Sequence, residues 1–325
     1  MRETRPTRRD ALRAIGGALL AGVASPALAF NERPADDAII DTHVHLVESR
    51  LPGAFEIKTP LPPFGKNDPD GPKKFAEAFA AEAKTAGVGQ ALCMPRFQVS
   101  DKDPLGIGET LAVIERVRGV KLHPVGLAHP ERFDRDHLAR VEAVLKQGKV
   151  KALKAYLGYL HYEPFSPGYR LYFKLAAKYD VPVIFHCGDT FSRTAKVKYS
   201  HPLKIDEVAV DFPKTKFVIA HFGNPWLMDA AQVVYKNENV WIDLSGILVW
   251  DADTFAEKEK SGALGREVRR VKQAIEYTEA PERFLYGSDW PLVPMPVYRD
   301  FVRRLFPKAE QAAVFGGTAR KLFGL

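Results

Sequence analysis

Along this chain, short runs of branched and aromatic residues alternate with longer stretches in which apolar positions recur every third or fourth residue. The runs fall at about 38–43, 89–94, 121–127, 150–156, 181–186, 216–221, 239–244 and 283–288, and their length and polar or glycine flanks predict eight strands. Helical periodicity predicts helices at 73–86, 107–118, 136–147, 168–179, 225–235 and 265–277, with two more at 296–305 and 309–323 after the last strand. Repeated strand-helix alternation implies parallel pairing, because parallel neighbours need a crossover long enough to hold a helix. The expected fold class is therefore α/β, a (β/α)8 TIM barrel. Three connections that follow strands are long. Residues 47–72, rich in proline and glycine, are expected to lie over the barrel mouth, and 187–200 and 246–264 to shape a pocket there.

The first 29 residues stand outside this pattern. Thr7-Arg8-Arg9-Asp10-Ala11-Leu12-Arg13 precedes a weakly apolar run from Ala14 to Leu28, which closes on Ala27-Leu28-Ala29. A basic segment, an apolar segment and a small-residue cleavage signal make a secretory leader, and the paired arginines resemble a twin-arginine export signal. An uncleaved amphipathic anchor is the alternative. Residues 1–29 are thus expected to be a signal peptide and 30–325 one barrel domain, periplasmic or secreted, without membrane anchoring after cleavage.

Composition narrows the partners. At 325 residues and 46% hydrophobic content the chain can bury one large core. Removing residues 1–29 takes five basic and two acidic residues, which lowers the formal net charge from +7 to +4. Without a basic block interleaved with aromatics, nucleic acid is not an expected partner. The remaining positive potential suits a small anionic substrate, and homo-oligomerisation stays open. Cys93 and Cys187 sit in separate strand contexts with no metal or disulfide spacing, and read as buried free thiols.

The chemistry lies where the apolar runs end. Ile39-Ile40-Asp41-Thr42-His43-Val44-His45 places two imidazoles on one face of a strand, since alternate side chains share a face. Val183-Ile184-Phe185-His186, Phe217-Val218-Ile219-Ala220-His221 and the run through Gly287-Ser288-Asp289-Trp290-Pro291 repeat the design. Active sites of such barrels form at the C-terminal ends of the strands, and closure brings strand 8 beside strand 1. His43, His45, His186 and Asp289 then suit one divalent ion, Zn²⁺ best, with a position left for water. His221 is the candidate proton shuttle, with a core or supporting histidine as the alternative. Arg96 and Arg193 are candidate anion clamps, each with a surface pair as its alternative. Asn224, Trp226 and Trp290 are candidate pocket linings, or packing residues, and Asp41 is a candidate partner of an imidazole.

Together these motifs resemble the amidohydrolase superfamily, in particular its amidohydrolase-related branch, which includes aminocarboxymuconate semialdehyde decarboxylase, resorcylate decarboxylases and lactonases. The resemblance spans roughly residues 38–323, and Gly-Ser-Asp-Trp-Pro is its most specific element. It implies that His43, His45, His186 and Asp289 bind a single metal, that His221 and Asp289 are catalytic, His221 activating the metal-bound water or contacting substrate, and that Lys154, at the end of strand 4, contacts a substrate carboxylate or is structural. A carbamylated Lys154 bridging two metals is the alternative. The expected activity is metal-dependent hydrolysis of a cyclic ester, amide or similar small substrate. Non-oxidative decarboxylation of an aromatic or unsaturated acid is the runner-up.

Overall fold

The computed structural model describes residues 38–46 and 71–325, so the predicted signal peptide and most of the 47–72 connection lie outside the described residues. Eight parallel strands run in sequence order: β1 Ile39–Val44, β2 Val88–Cys93, β3 Lys121–Leu127, β4 Ala152–Ala155, β5 Val183–Phe185, β6 Phe217–Ile219, β7 Val240–Asp243 and β8 Phe284–Leu285. All eight fall within the predicted runs or a residue beyond them. The backbone after β8 closes the barrel against β1, with Thr42 N donating to Tyr286 O (2.9 Å), Asp289 N to His43 O (2.9 Å) and His45 N to Trp290 O (2.8 Å). This is the TIM barrel that the alternation predicts.

Helices α1 Gly71–Ala86, α2 Gly108–Ile114, α3 Arg135–Leu145, α4 Pro167–Tyr179, α5 Lys204–Asp211, α6 Leu227–Lys236, α7 Ala252–Lys260, α8 Ala263–Tyr277, α9 Met295–Leu305, α10 Lys308–Ala312 and α11 Thr318–Phe323 accompany the strands. Two of them, α5 and α7, have no counterpart among the predicted helices. Helix α5 buries Ile205, Val208 and Ala209 but is only eight residues long, and α7 buries Phe255 alone, so neither gives an extended periodic signal. Asp251 nevertheless starts α7 by accepting a hydrogen bond from Thr254 N (2.8 Å). The single helix predicted at 309–323 is interrupted by a wider turn at Ala313–Gly317, where Gly316 breaks the helical geometry.

Inward-facing Ile40, Leu92, Val125, Ala152, Ile184, Val218 and Leu285 form an apolar layer, against which Ala319, Leu322 and Phe323 of α11 pack and seal the base. Two residues further along their strands, Ala152 gives way to Lys154, Ile184 to His186 and Trp241 to Asp243. Because the side-chain period is two, one inward face thus turns from apolar to ionisable on the way to the mouth.

Candidate metal centre and active site

His43, His45 and Asp289 converge at the mouth, with one ligand atom from each lying within 4.8 Å of the others. His45 Nε2 is 3.2 Å and His43 Nε2 3.7 Å from Asp289 Oδ1. A register shift in β1 between Asp41 and Val44 accompanies the turn of His43 toward the site. Asp289 is held with φ at 66° and His221 at 58°, left-handed conformations that cost energy in non-glycine residues and aim side chains where a regular strand would not. Gly246 closes the wall beside them: a Cβ there would lie 2.7 Å from Asp289 Oδ2.

Acceptor-only oxygens fix where the imidazole protons sit. His43 Nδ1 donates to Asp243 Oδ2 (2.5 Å), which leaves Nε2 as a lone pair, and Lys154 Nζ approaches that atom at 3.4 Å. His221 Nδ1 donates to the carbonyl oxygen of Ser245 (3.1 Å), so its Nε2 is also free. His186 has the opposite tautomer, because Nε2 donates to Asp189 O (2.9 Å) and Nδ1 keeps the lone pair. Burial holds all three rings neutral. It is the main reason that the pKa values of His43 and His186 lie well below the usual imidazole value and that His221 is pushed down to about 3. Burial likewise brings Lys154 down to about 8. It opposes ionisation of Asp289, but contact with His45 and the nearness of His221 and His43 outweigh it, and the carboxyl titrates well below its ordinary range.

Asp289 Oδ1 is buried without a hydrogen bond while it faces imidazole nitrogens, one of them the His43 lone pair. A buried carboxylate oxygen beside two imidazole nitrogens, one of them the lone pair of His43, is a donor set that fits a divalent cation such as Zn²⁺. Behind these candidate ligands stands Asp243, a carboxylate that orients the His43 ring through its far nitrogen.

The three groups border a cavity of about 270 Å³. Its opposite wall is aromatic: Phe97 packs on Tyr156 (ring centroids 4.1 Å apart) and Tyr159 (5.5 Å), and Tyr159 meets His186 edge-on (4.8 Å). Phe191, from the long segment after β5, also lines it, as do Ile247 and Val249 from the segment after β7.

The predicted residues divide by place. His43, His45, Lys154, His186, His221, Asn224 and Asp289 all line the cavity. His186 is outside the three-ligand cluster, although its ring lies 4.8 Å from that of His221. Asn224 is committed on both sides, accepting from Arg270 Nη1 (3.0 Å) and donating to Ile247 O (3.3 Å), so it braces the wall. Three candidate substrate contacts stand outside the cavity lining. Arg96 is paired with Glu109 and Arg193 is exposed, and neither lines the cavity. Trp290 packs between Phe75 and Phe79 of α1, its Nε1 donating to Glu82 Oε2 (2.8 Å), on the outside of the barrel. Trp226 is not among the lining residues either; its ring packs against His201 at a tilt, with centroids 4.7 Å apart. Asp41 bonds the backbone amides of His43 and Ser288 (3.0 Å each), leaving the imidazole to Asp243. The sequence reading passed over Asp243 and Ser245, yet Val240-Trp241-Ile242-Asp243-Leu244-Ser245 carries the same signal as the histidine strands, an apolar run with a polar end.

A family model described as amidohydrolase matches residues 40–325. A search of curated protein sequences finds no relative. Among solved structures, an uncharacterized TIM-barrel protein from Bordetella bronchiseptica is 18% identical, with a TM-score of 0.61 over 88% of this chain and 98% of that one. A probable 2-pyrone-4,6-dicarboxylic acid hydrolase from Acinetobacter baumannii, with citric acid bound, is 16% identical, with a TM-score of 0.55 over 88% and 99%. A 5-carboxyvanillate decarboxylase from Novosphingobium aromaticivorans, complexed with manganese and 4-hydroxy-3-methoxy-5-nitrobenzoic acid, is 12% identical, with a TM-score of 0.56 over 89% and 96%.

Proposed function

The chain belongs to the amidohydrolase family, and from that premise we propose that it is a metal-dependent hydrolase that opens a cyclic ester or amide, or a similar small acyl substrate, by adding water. The observation that carries this reading is the state of His221. Its one ring proton is committed to the Ser245 carbonyl, so Nε2 carries a lone pair and has no proton to give. Hydrolysis needs such an acceptor for a proton of the attacking water.

His43, His45 and Asp289 would hold the ion, with His186 as the proposed fourth ligand through Nδ1. When bound, a divalent ion supplies Lewis acidity toward a carbonyl oxygen and lowers the pKa of water toward about 7. Asp243 keeps the His43 lone pair turned toward Asp289. Lys154, the lysine of the cavity wall, is placed to attract a substrate carboxylate or the one that ring opening forms. The Phe97, Tyr156 and Tyr159 wall and the modest cavity suit one flat ring. The aromatic wall also favours the second reading, decarboxylation of an aromatic or unsaturated acid, in which protonated Lys154 would serve as donor to carbon.

Turnover of a panel of monocyclic lactones and hydroxybenzoic acids separates the two. Ring-opened carboxylate without CO₂ is the expected result, and CO₂ release with intact lactones would replace hydrolysis by decarboxylation. Metal analysis of the purified protein is expected to give about one Zn²⁺ per chain. A preparation active only with manganese would change the metal, and about two ions per chain would point to a carbamylated Lys154. We also propose export through the twin-arginine route to the periplasm. Arg8→Lys with Arg9→Lys should retain the protein in the cytoplasm on fractionation, and unchanged export would refute the leader.

A further inference from the structure

Ser245, fully buried just after β7, touches both imidazoles that the proposed reaction needs. Its hydroxyl oxygen lies 3.1 Å from His43 Nδ1, 3.0 Å from His221 Nδ1 and 3.0 Å from Asp243 Oδ2. Its amide donates to Asp243 Oδ1 (2.8 Å), and its carbonyl accepts from His221. The hydroxyl has a single proton and the Asp243 carboxylate can only accept, so that proton goes to Oδ2 and the hydroxyl lone pairs face the two Nδ1–H groups. Every hydrogen of the cluster is then placed. Gly287 leaves the room for it: a Cβ there would stand 2.4 Å from Asp243 Oδ1 and 3.0 Å from Cβ of both His43 and Ser245.

We propose that Asp243 and Ser245 form a positioning pair that fixes the tautomers of His43 and His221 together, so that both rings present Nε2 lone pairs from one hydrogen-bonded frame. The proposal deepens the hydrolase reading and rests on it for the roles of the two rings. Asp243 determines His43, because its two oxygens must accept from both Ser245 N and His43 Nδ1. An asparagine has one oxygen, so one of those positions becomes a donor. Ser245 ties the rings to each other, while its backbone carbonyl alone suffices for the His221 tautomer.

The test is long-range ¹H–¹⁵N NMR of the metal-free full chain labelled on histidine, together with Zn²⁺ affinity from chelator competition. Wild type is expected to show Nδ1–H at His43 and His221 and Nε2–H at His186. Asp243→Asn should move His43 to Nε2–H and weaken Zn²⁺ binding about 10- to 100-fold. Ser245→Ala should keep both tautomers, weaken Zn²⁺ binding about tenfold and lower kcat about tenfold with KM within about twofold. An unchanged His186 signal in both variants reports an intact fold. Nε2–H at His43 or His221 in wild type, or variants that alter neither tautomer nor affinity, would overturn the pair. The NMR and affinity arms need no substrate, so failure of every substrate panel would count against the hydrolase reading and leave this frame standing.

Discussion

The two ends of the barrel both bury histidine, and they do so with opposite consequences. At the base, His123 is pushed down to about 4, chiefly by burial and then by Lys121 and Lys151, and its Nε2 rests on Gln90 Oε1 at 2.9 Å. A neutral ring there meets a neutral amide, and α11 seals the layer above the solvent with Leu322 and Phe323. At the mouth, burial also keeps the rings neutral, but the lone pair of His43 faces Asp289, whose Oδ1 has no hydrogen bond. The same desolvation therefore makes a finished structural contact at one end and a set of cation-seeking atoms at the other. The difference between the two ends is the partner: a neutral amide at the base, and at the mouth a carboxylate whose Oδ1 has no hydrogen bond.

The contrast predicts that mouth variants lose activity while base variants lose stability. The largest effect belongs to the mouth. His43→Ala should lose both ion and turnover, whereas His221→Ala should keep the ion and lose about 10²–10⁴ in kcat. Parallel metal analysis and kinetics check this, and equal metal loss in the two would make His221 a ligand. Next comes the base, where Phe323→Ala should cost about 3–5 kcal/mol in urea unfolding with kcat unchanged at a temperature where the variant is folded. A kcat loss as large as that of His221→Ala would erase the division between the ends.

A smaller effect is pH dependence. The unfolded His123 takes a proton near its ordinary value of 6.5 and the folded one only near 4. Stability is therefore lost as pH falls from about 6.5 to about 4, since the unfolded state binds more protons in that window. His221, depressed further, adds in the same direction. His123→Gln, which can still bond Gln90, should shrink the stability difference between about pH 7 and pH 4.5 by about 2 kcal/mol. No change in that difference would remove His123 from the acid response. The smallest effect is expected at Arg96, which follows β2 at the mouth but is not among the residues lining the cavity. Arg96→Ala should change stability by no more than about 0.5 kcal/mol and leave KM unaltered, because its partner is the half-exposed Glu109. A tenfold rise in KM for an anionic substrate would restore it as a clamp.

All eight strands, and the strand-end positions of His43, His45, His186, His221 and Asp289, were legible because both follow from local rules: period two within a strand, and polar residues at the C-terminal ends of apolar runs. Helices α5 and α7 were not, since one is short and the other almost wholly polar. Trp290, a candidate pocket lining that instead packs on α1, shows the limit. It is adjacent in sequence to Asp289, but the left-handed backbone at Asp289 sends the carboxylate into the mouth while the indole packs on α1.

By itself the sequence determined the barrel, the candidate ligands and their order around the mouth, because these depend on hydrophobic periodicity and residue type. Only the tertiary structure decided which nitrogen of His43, His186 and His221 carries a proton, that Asp243 and Ser245 stand behind His43 and His221, and that Arg96 and Arg193 are not among the residues lining the cavity. Those outcomes turn on distances of about 3 Å between residues some 200 positions apart, such as His43 and Asp243, and no local pattern encodes such a contact.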